Sequence, residues 1–125
     1  MLNREQIKNI KDAEKIVFST SSKSGQPRSI WVIPSRVEQD RIILSNIQMN
    51  KTFENLKHNP KCFLNILTAE QADLQYKIEG VAEIVNEGKL FTEIKQYEET
   101  ENLPPQLKVN AIIIVNIKSI EESNG

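Results

Sequence analysis

The chain has 125 residues, 38% of them hydrophobic, and 16 lysines and arginines against 17 aspartates and glutamates give a formal net charge of −1. This length fits one domain over residues 1–125, and the balanced charge disfavours a nucleic-acid-binding protein that works through bulk positive charge. The single cysteine, Cys62, excludes an intramolecular disulfide and a metal site built from several thiolates, and it is typical of a reducing compartment. The N-terminus has no secretory signal and no apolar run is long enough to cross a bilayer, so we expect a cytoplasmic protein without a membrane partner.

The first third of the chain predicts one helix followed by three strands. Asn3 and Gln6 have the spacing of a capping box, and Ile7 and Ile10 recur behind them at helical spacing. Residues that favour strands then follow with a period of two, and Gly25 can form the first turn. This order predicts an antiparallel meander with strands over residues 15–22, 28–37 and 41–46.

The middle of the chain predicts a short helix and two more strands. Asn50 is a candidate N-cap, and Asn59–Pro60 ends the helix. Residues 61–67 are rich in strand formers. Residues 74–85 alternate between apolar and polar side chains, which is typical of a long strand with one buried face.

The last part of the chain predicts a third helix and a final strand. The helix cannot continue into Pro104 and Pro105, because proline lacks the backbone N–H. The strand over residues 108–117 is apolar on both faces in its middle, so we expect the barrel to cover one face and a partner subunit to cover the other. The inner side of the helix is expected to carry Leu90, Phe91, Ile94 and Tyr97.

Six short strands in so small a chain close most simply into a barrel, since closure removes exposed sheet edges. The residues alone therefore predict a mainly β fold with three short helices. They leave the strand order open.

The residue types that commonly carry catalysis are sparse. His58 is the only histidine and lies at the end of a predicted helix, so we interpret it as a solvated helix end rather than as part of a catalytic triad. Cys62 opens a strand and alternates with Leu64 and Ile66, which favours a buried core thiol over a nucleophile. We therefore predict no metal site, and catalytic residues remain unassigned.

The segment from Ile42 to Leu56 is the most informative part of the sequence. A strand leads through a polar loop to a helix N-terminus, where free N–H groups and the helix dipole favour an anion. Lys51 adds a cation and Thr52 a hydroxyl donor in the first turn. On spacing alone, an anion site and a solvated lysine beside an ordinary cap are both open.

The segment from Arg28 to Ser35 contains the only tryptophan, Trp31, and a proline inside a predicted strand. Pro34 implies an edge or a bulge, where free backbone groups can meet a flat polar ring. The alternative, which the residues alone favour, is a core tryptophan beside a proline at a barrel corner.

The ordered set of motifs resembles the FMN-binding split barrels of the pyridoxamine 5'-phosphate oxidase-like group. The resemblance extends over residues 13–120, nearly the whole chain. It implies a six-stranded antiparallel split β-barrel of the Greek-key type with short helices. The motifs are Val17–Thr20, Gly25–Pro27, the Trp31 strand, Asp40–Ile43, Met49–Thr52, Asn55–Leu56 and Asn59–Pro60.

The resemblance also implies a role for each matching residue. Asn50, Lys51 and Thr52 would hold the FMN phosphate, and Leu44 and Ser45 would line the ribityl chain and the ring. Gln75 matches a position that reaches the flavin in the oxidases. The isoalloxazine would lie along Ile30, Trp31, Val32 and Ile33.

In this family FMN usually sits at a dimer interface, so we expect a homodimer in which the partner's last strand completes the site. Loops over residues 68–73 and 102–106 would line a substrate pocket. The expected function is electron transfer or flavin-dependent oxidoreduction, with the redox partner open.

The chain departs from the oxidases where they bind vitamin B6. Its second strand has only Arg28 and Arg36, and its last strand has no Arg, His or Trp, which disfavours pyridoxamine 5'-phosphate oxidation itself. Two alternatives remain open at this point. One is a non-redox module for another flat anionic ligand, such as a deazaflavin or haem, and the other is a dimeric protein with a decayed flavin site.

Overall fold

One antiparallel sheet of seven strands runs through the residues that the structure, a computed structural model, describes, namely 1–69 and 73–124. Three helices are attached to this sheet. In chain order the elements are α1 (Arg4–Lys11), β1 (Lys15–Ser21), β2 (Pro27–Trp31), β3 (Arg36–Val37), β4 (Arg41–Asn46), α2 (Lys51–His58), β5 (Lys61–Leu67), β6 (Gln75–Val85), α3 (Lys89–Glu101) and β7 (Ala111–Ser123).

The strand order is β2-β1-β5-β6-β7-β4-β3. β2 and β3 form the two edges of this sheet, yet only residues 32–35 separate them in the chain. The sheet must therefore curl until its edges approach each other, which makes it a split barrel. β5, β6 and β7 are neighbours in order and β4 lies beside β7, which is the Greek-key arrangement. The expected fold class is confirmed.

The strand count differs from the expected six because the predicted strand over residues 28–37 is interrupted. Pro34 has no N–H to give to a ladder, and β2 ends at Trp31 while β3 starts at Arg36. After the break the chain pairs with β4 instead of β1, and this pairing begins where the Ser35 N–H donates to the Ile43 carbonyl over 2.8 Å. Pro34 thus lies in the short link between the two sheet edges.

The apolar residues form two cores. The first fills the barrel and includes Phe18, Leu64, Ile78 and Val115, all without measurable exposure. The second lies between α3 and the other face of the sheet, where Ile94 of α3 belongs to the same cluster as strand residues. The sheet side of that second core consists of Ile43, Val109, Ile112 and Ile114.

The second core corrects the expectation for the last strand. Both faces of β7 are covered, but α3 of the same chain covers the outer one, so the apolar run is no evidence for a partner subunit. β7 also continues to Ser123, six residues beyond the predicted end at 117. The reason is that β6 has eleven residues and offers a pairing partner as far as Gln75.

Candidate functional site

A cavity of about 830 Å³ lies beside β2, β4, the loop before α2 and the end of α3. Its volume falls within the range of small-molecule binding sites. Its walls are mostly apolar, with two charged side chains, Arg28 and Glu98, among the described residues that line it. The other lining residues are Ile30, Trp31, Val32, Ile33, Pro34, Ser35, Leu44, Ser45, Ile47, Gln48, Met49, Asn50, Tyr97, Asn102 and Leu103.

The cavity brings together most of the residues that the sequence singled out. Lys51 and Thr52 are not part of the lining but follow Asn50 directly in the first turn of α2. The ligand-binding roles of these positions stay predictions. The seven that line the cavity are Ile30, Trp31, Val32, Ile33, Leu44, Ser45 and Asn50.

One wall of the cavity, which we call the β2 wall, consists of residues 30–33 at the end of β2 and exposes large apolar side chains. Trp31 is 69% exposed and Ile33 is 89% exposed. The sequence-based preference for a core tryptophan is therefore wrong. The Lys15 ammonium lies 5.6 Å from the centre of the Trp31 ring, within cation–π distance. Exposed apolar side chains beside a cavity are a common mark of a ligand or partner surface.

Hydrogen bonds fix the base of the cavity. The hydroxyls of Ser35 and Ser45 are 2.6 Å apart and join the β2–β3 link to β4. The buried Asn46 carboxamide accepts from the Met49 N–H over 3.0 Å, which shapes the loop between β4 and α2. These contacts lead the chain from the cavity directly into the N-terminus of α2.

The N-terminus of α2 has an uncommon geometry. Asn50 occupies the N-cap position as expected, but with a φ of 51° and no hydrogen bond from its side chain to the helix. Such backbone angles cost free energy in residues other than glycine and concentrate at functional sites. The usual side-chain acceptor for the first-turn N–H groups is therefore missing.

Thr52 adds a second observation at the same place. Its side chain is fully buried, and its hydroxyl has no hydrogen-bond partner among the described residues. Lys51 beside it is exposed. The helix itself is anchored to β1, because Asn55 donates to the Thr20 hydroxyl over 3.1 Å and Asn59 donates to the Ser21 hydroxyl over 2.9 Å.

Gln75 is not among the residues lining this cavity. It starts β6, whereas Leu44 of the cavity is in register with Ile113, which pairs with Ile84 near the other end of β6. Its predicted contact with a flavin within one chain therefore has no support in the arrangement of the strands. The contact remains a prediction for an assembly of two chains.

The wall of the cavity at the end of α3, which we call the α3 wall, consists of Tyr97, Glu98, Asn102 and Leu103. The sequence predicted two of these four residues to line a pocket. Asn102 and Leu103 belong to the loop predicted to line a substrate pocket. Tyr97 was expected on the inner side of the helix, but it is 56% exposed. Of the other expected loop, residues 70–72 lie outside the described part of the chain, and the described residues 68, 69 and 73 do not line the cavity.

Neither His58 nor Cys62 lines the cavity. His58 borders a separate surface depression beside Lys23 and Glu54. Cys62 is buried as expected, and burial raises the pKa of its thiol to about 12, so it is held as an unreactive thiol.

Among residues 1–69 and 73–124, no three His, Cys, Asp or Glu side chains are grouped to hold a metal ion. No helix of that part is long and apolar enough to span a membrane.

Comparison with known families and sequences gives two findings. The family model described as "Pyridoxamine 5'-phosphate oxidase" matches residues 4–124. An uncharacterized protein of Methanocaldococcus jannaschii is 32% identical over 124 residues, which cover 95% of this chain and 78% of that protein.

Comparison with solved structures confirms the fold. HupZ of Group A Streptococcus superposes with a TM-score of 0.85 at 20% identity, covering 100% of this chain and 99% of that one. An FMN-binding protein of Syntrophomonas wolfei gives a TM-score of 0.73 at 18% identity, covering 95% and 86%. The haem storage protein HutZ of Vibrio cholerae gives 0.75 at 13% identity, covering 98% and 97%. The same fold thus carries more than one ligand.

Proposed function

Since the chain belongs to the pyridoxamine 5'-phosphate oxidase family, we propose that it is a cytoplasmic FMN-binding flavoprotein acting in electron transfer or flavin-dependent oxidoreduction. The observation that carries this proposal is the N-terminus of α2 at the edge of the cavity. Asn50 with its positive φ, the exposed Lys51 and the unpartnered hydroxyl of Thr52 meet there in three consecutive residues.

These residues fit a phosphate group. An anion would accept from first-turn N–H groups that no side chain caps, and the helix dipole favours negative charge at this end. The positive charge of Lys51 is unfavourable beside the positive end of the helix dipole. A phosphate bound there would make the position of this charge favourable. The Thr52 hydroxyl, which otherwise bears the cost of an unsatisfied buried donor, would gain an acceptor after a small rearrangement.

The rest of the cavity fits a flat ring system. Residues 30–33 of the β2 wall offer apolar side chains and backbone groups, and Leu44 and Ser45 form the adjoining wall. FMN, when bound, supplies the redox chemistry, while the chain binds the ring, orients it and excludes water from it.

A homodimer is part of this proposal. Trp31, Ile33 and Tyr97 are large apolar side chains that border one cavity and are all more than half exposed. A second copy of the chain would cover the part of this surface around Ile33 that a flavin alone leaves open. It would also supply the route by which Gln75 reaches the flavin.

Haem is the weaker ligand candidate despite the likeness to HutZ. The cavity lining in the described part of the chain includes no imidazole or thiol, and offers an iron only the Met49 thioether and the Tyr97 phenol. A deazaflavin would use the same phosphate site as FMN. We therefore keep haem as a comparison ligand in the test.

The test is a titration of the purified protein with FMN, riboflavin and haemin, followed by flavin fluorescence and visible absorbance. We expect saturable binding of FMN and much weaker binding of riboflavin, because riboflavin lacks the phosphate. Lys51→Ala should weaken FMN binding about tenfold or more and leave riboflavin binding unchanged, as for loss of a charged hydrogen bond.

Lys57→Ala is the matched control, since Lys57 lies in the last turn of the same helix, where it pairs with Glu54 over 3.1 Å. It should bind FMN as the native chain does. Equal affinity for FMN and riboflavin would overturn the assignment of the phosphate site. Absence of flavin binding would overturn the proposed function and leave the fold intact.

A further inference from the structure

We propose that the α3 wall of the cavity is a subsite for a second ligand, and that this ligand is a flat aromatic cation. The inference deepens the proposed function and rests on it for the identity of the first ligand, FMN. It is carried by the charge of Glu98, by the end of α3 and by two exposed aromatic rings.

Glu98 is a partly buried carboxylate in the cavity wall with no cationic partner among the described residues. Asn102 Nδ2 donates to its Oε1 over 2.9 Å, which orients the carboxylate without neutralising it. The neighbouring acids differ in this respect. Glu99 pairs with Lys95 and Lys108, and Glu93 pairs with Arg36 and Lys89. Glu98 and Glu101 are the two α3 carboxylates without a cationic partner in the described part of the chain, and of these two Glu98 lines the cavity.

The position of Glu98 near the C-terminal end of α3 strengthens this negative field. The backbone carbonyls at a helix C-terminus carry the negative end of the dipole, and basic side chains commonly occupy the last turn. The last turn of α3 has no basic residue. The dipole and the carboxylate therefore both favour a positively charged ligand at the α3 wall.

Two aromatic rings define the shape of that ligand. Tyr97 of the α3 wall and Trp31 of the β2 wall border the same cavity with more than half of their surfaces exposed. Exposed rings stack on flat aromatic ligands, and the face of Tyr97 attracts cations, whereas Lys15 already lies over the Trp31 ring. A ring for the aromatic faces and a positive charge for Glu98 together describe one ligand class.

The cavity is therefore bordered by groups of both signs. The start of α2 suits an anion and Glu98 of the α3 wall suits a cation, while the other charged lining residue, Arg28, belongs to β2. A second ligand bearing negative charge would be repelled from the α3 wall. This charge selectivity distinguishes a cation subsite from a surface that binds flat ligands by apolar stacking alone.

The experiment compares two flat three-ring dyes that absorb at longer wavelengths than oxidised flavin. Thionine is a cation and resorufin an anion at neutral pH. Each is titrated into FMN-loaded protein and followed by absorbance and fluorescence anisotropy. We expect saturable binding of thionine and at least tenfold weaker binding of resorufin.

Glu98→Gln keeps the size of the side chain and an acceptor for Asn102, so the fold should be retained. We expect it to weaken thionine binding to FMN-saturated protein about tenfold, as for loss of a charged hydrogen bond. Glu101→Gln removes a charge from the same end of α3 outside the cavity lining, and it should bind thionine as the native chain does.

The outcomes separate the two proposals. Retained FMN binding with equal thionine affinity in the native chain and in Glu98→Gln would overturn the cation subsite alone. Loss of FMN binding in the native chain would overturn the proposed function. A dimer that binds FMN but excludes thionine would show that a second copy covers the α3 wall, which also overturns the subsite.

Discussion

Asn50 starts α2 with a φ of 51° and a ψ of −113°, a combination that glycine reaches far more easily than other residues. The strain lies within one residue of Lys51 and two of Thr52, the proposed phosphate ligands. Strain of this kind persists where the surrounding structure enforces it. Asn46, which accepts from the Met49 N–H, is the contact that fixes the preceding loop here.

This strain predicts an inverted order of stability for two substitutions. In most helices and strands alanine is more stable than glycine by roughly 0.5–1 kcal/mol. At position 50 we expect Asn50→Gly to be more stable than Asn50→Ala by about 1 kcal/mol, because only glycine relieves the positive φ. Urea unfolding of both variants measures the difference. An alanine variant as stable as the glycine variant would contradict the strain at Asn50.

The roles of single residues were predictable where chemistry alone decides them. The capping box is confirmed, since Asn3 accepts from the Gln6 N–H over 2.7 Å and Gln6 accepts from the Asn3 N–H over 2.9 Å. Trp31 and Tyr97 were wrongly predicted to be buried. The periodicity of a sequence shows which side of a helix or strand is apolar, but it does not show how far the neighbouring element covers that side. At both residues the neighbouring space is the cavity.

Among the elements, α3 is joined to the start of β7 by a small polar network around Glu99. Its carboxylate accepts from the Val109 N–H over 2.8 Å and pairs with Lys95 and Lys108, while Lys95 also donates to the Val109 carbonyl over 3.1 Å. The hydrogen bond from Lys95, followed by that from Val109, lowers the pKa of Glu99. The charged form is therefore the one that stabilises the docking of α3.

A pH-dependent stability difference follows from this network. A lowered pKa in the folded state means that the contribution of Glu99 is fully present above the pKa of the unfolded chain and is lost as pH falls through the folded-state pKa. We expect Glu99→Gln to be less stable than the native chain at pH 7 and equally stable at strongly acid pH. Thermal unfolding across pH 2–7 tests this, with Glu101→Gln as a control for loss of a carboxylate outside the Glu99 network. A difference that is constant with pH would contradict it.

The pairing of β6 with β7 depends on a glycine at a register shift. The shift lies between Glu79 and Gly80, and a Cβ at position 80 would lie 2.5 Å from Cγ1 of the buried Val115 and 3.1 Å from the Asn116 carbonyl oxygen. Gly80 thus lies so close to β7 that no side chain fits at this position without a shift of the neighbouring atoms.

Gly80→Ala should therefore destabilise the fold by about 1–3 kcal/mol, the usual cost of overpacking a core. Val115→Ala removes the clashing methyl group, so the double variant should recover part of the loss. A double-mutant cycle from urea unfolding measures this coupling. Additive losses would mean that contact with Val115 is not the cause.

The elements were predictable to the extent that their signals are local. Alternation and turn residues placed the strands, but the strand predicted over residues 28–37 ran through Pro34, where the structure has the break between β2 and β3. The extension of β7 to Ser123 was not predictable, because its polar last residues are ordered by pairing with β6 and not by their own pattern.

At the scale of the whole molecule, the chain buries its own apolar surfaces almost completely except around the cavity. The barrel interior forms one core, and α3 with the outer face of β7 forms the other. Four large apolar side chains in the described part of the chain are exposed, and three of them, Trp31, Ile33 and Tyr97, border the cavity. The sequence placed the proposed dimer contact on β7, whereas the structure leaves the uncovered apolar surface at β2 and α3.

This distribution predicts where a dimer would be broken. We expect the native chain to sediment as a dimer at micromolar concentration, and Ile33→Lys to shift it toward monomer. Ile33 is 89% exposed in the single chain, so burying it in a dimer contributes about 1.5–3 kcal/mol and placing a charge there opposes association. Gln96→Lys adds the same charge at an exposed position of α3 outside the cavity lining and should leave the dimer intact.

Analytical ultracentrifugation without FMN separates protein contacts from ligand-driven association. A native chain that is monomeric under these conditions, or a dimer that Ile33→Lys does not weaken, would mean that a ligand alone covers this surface.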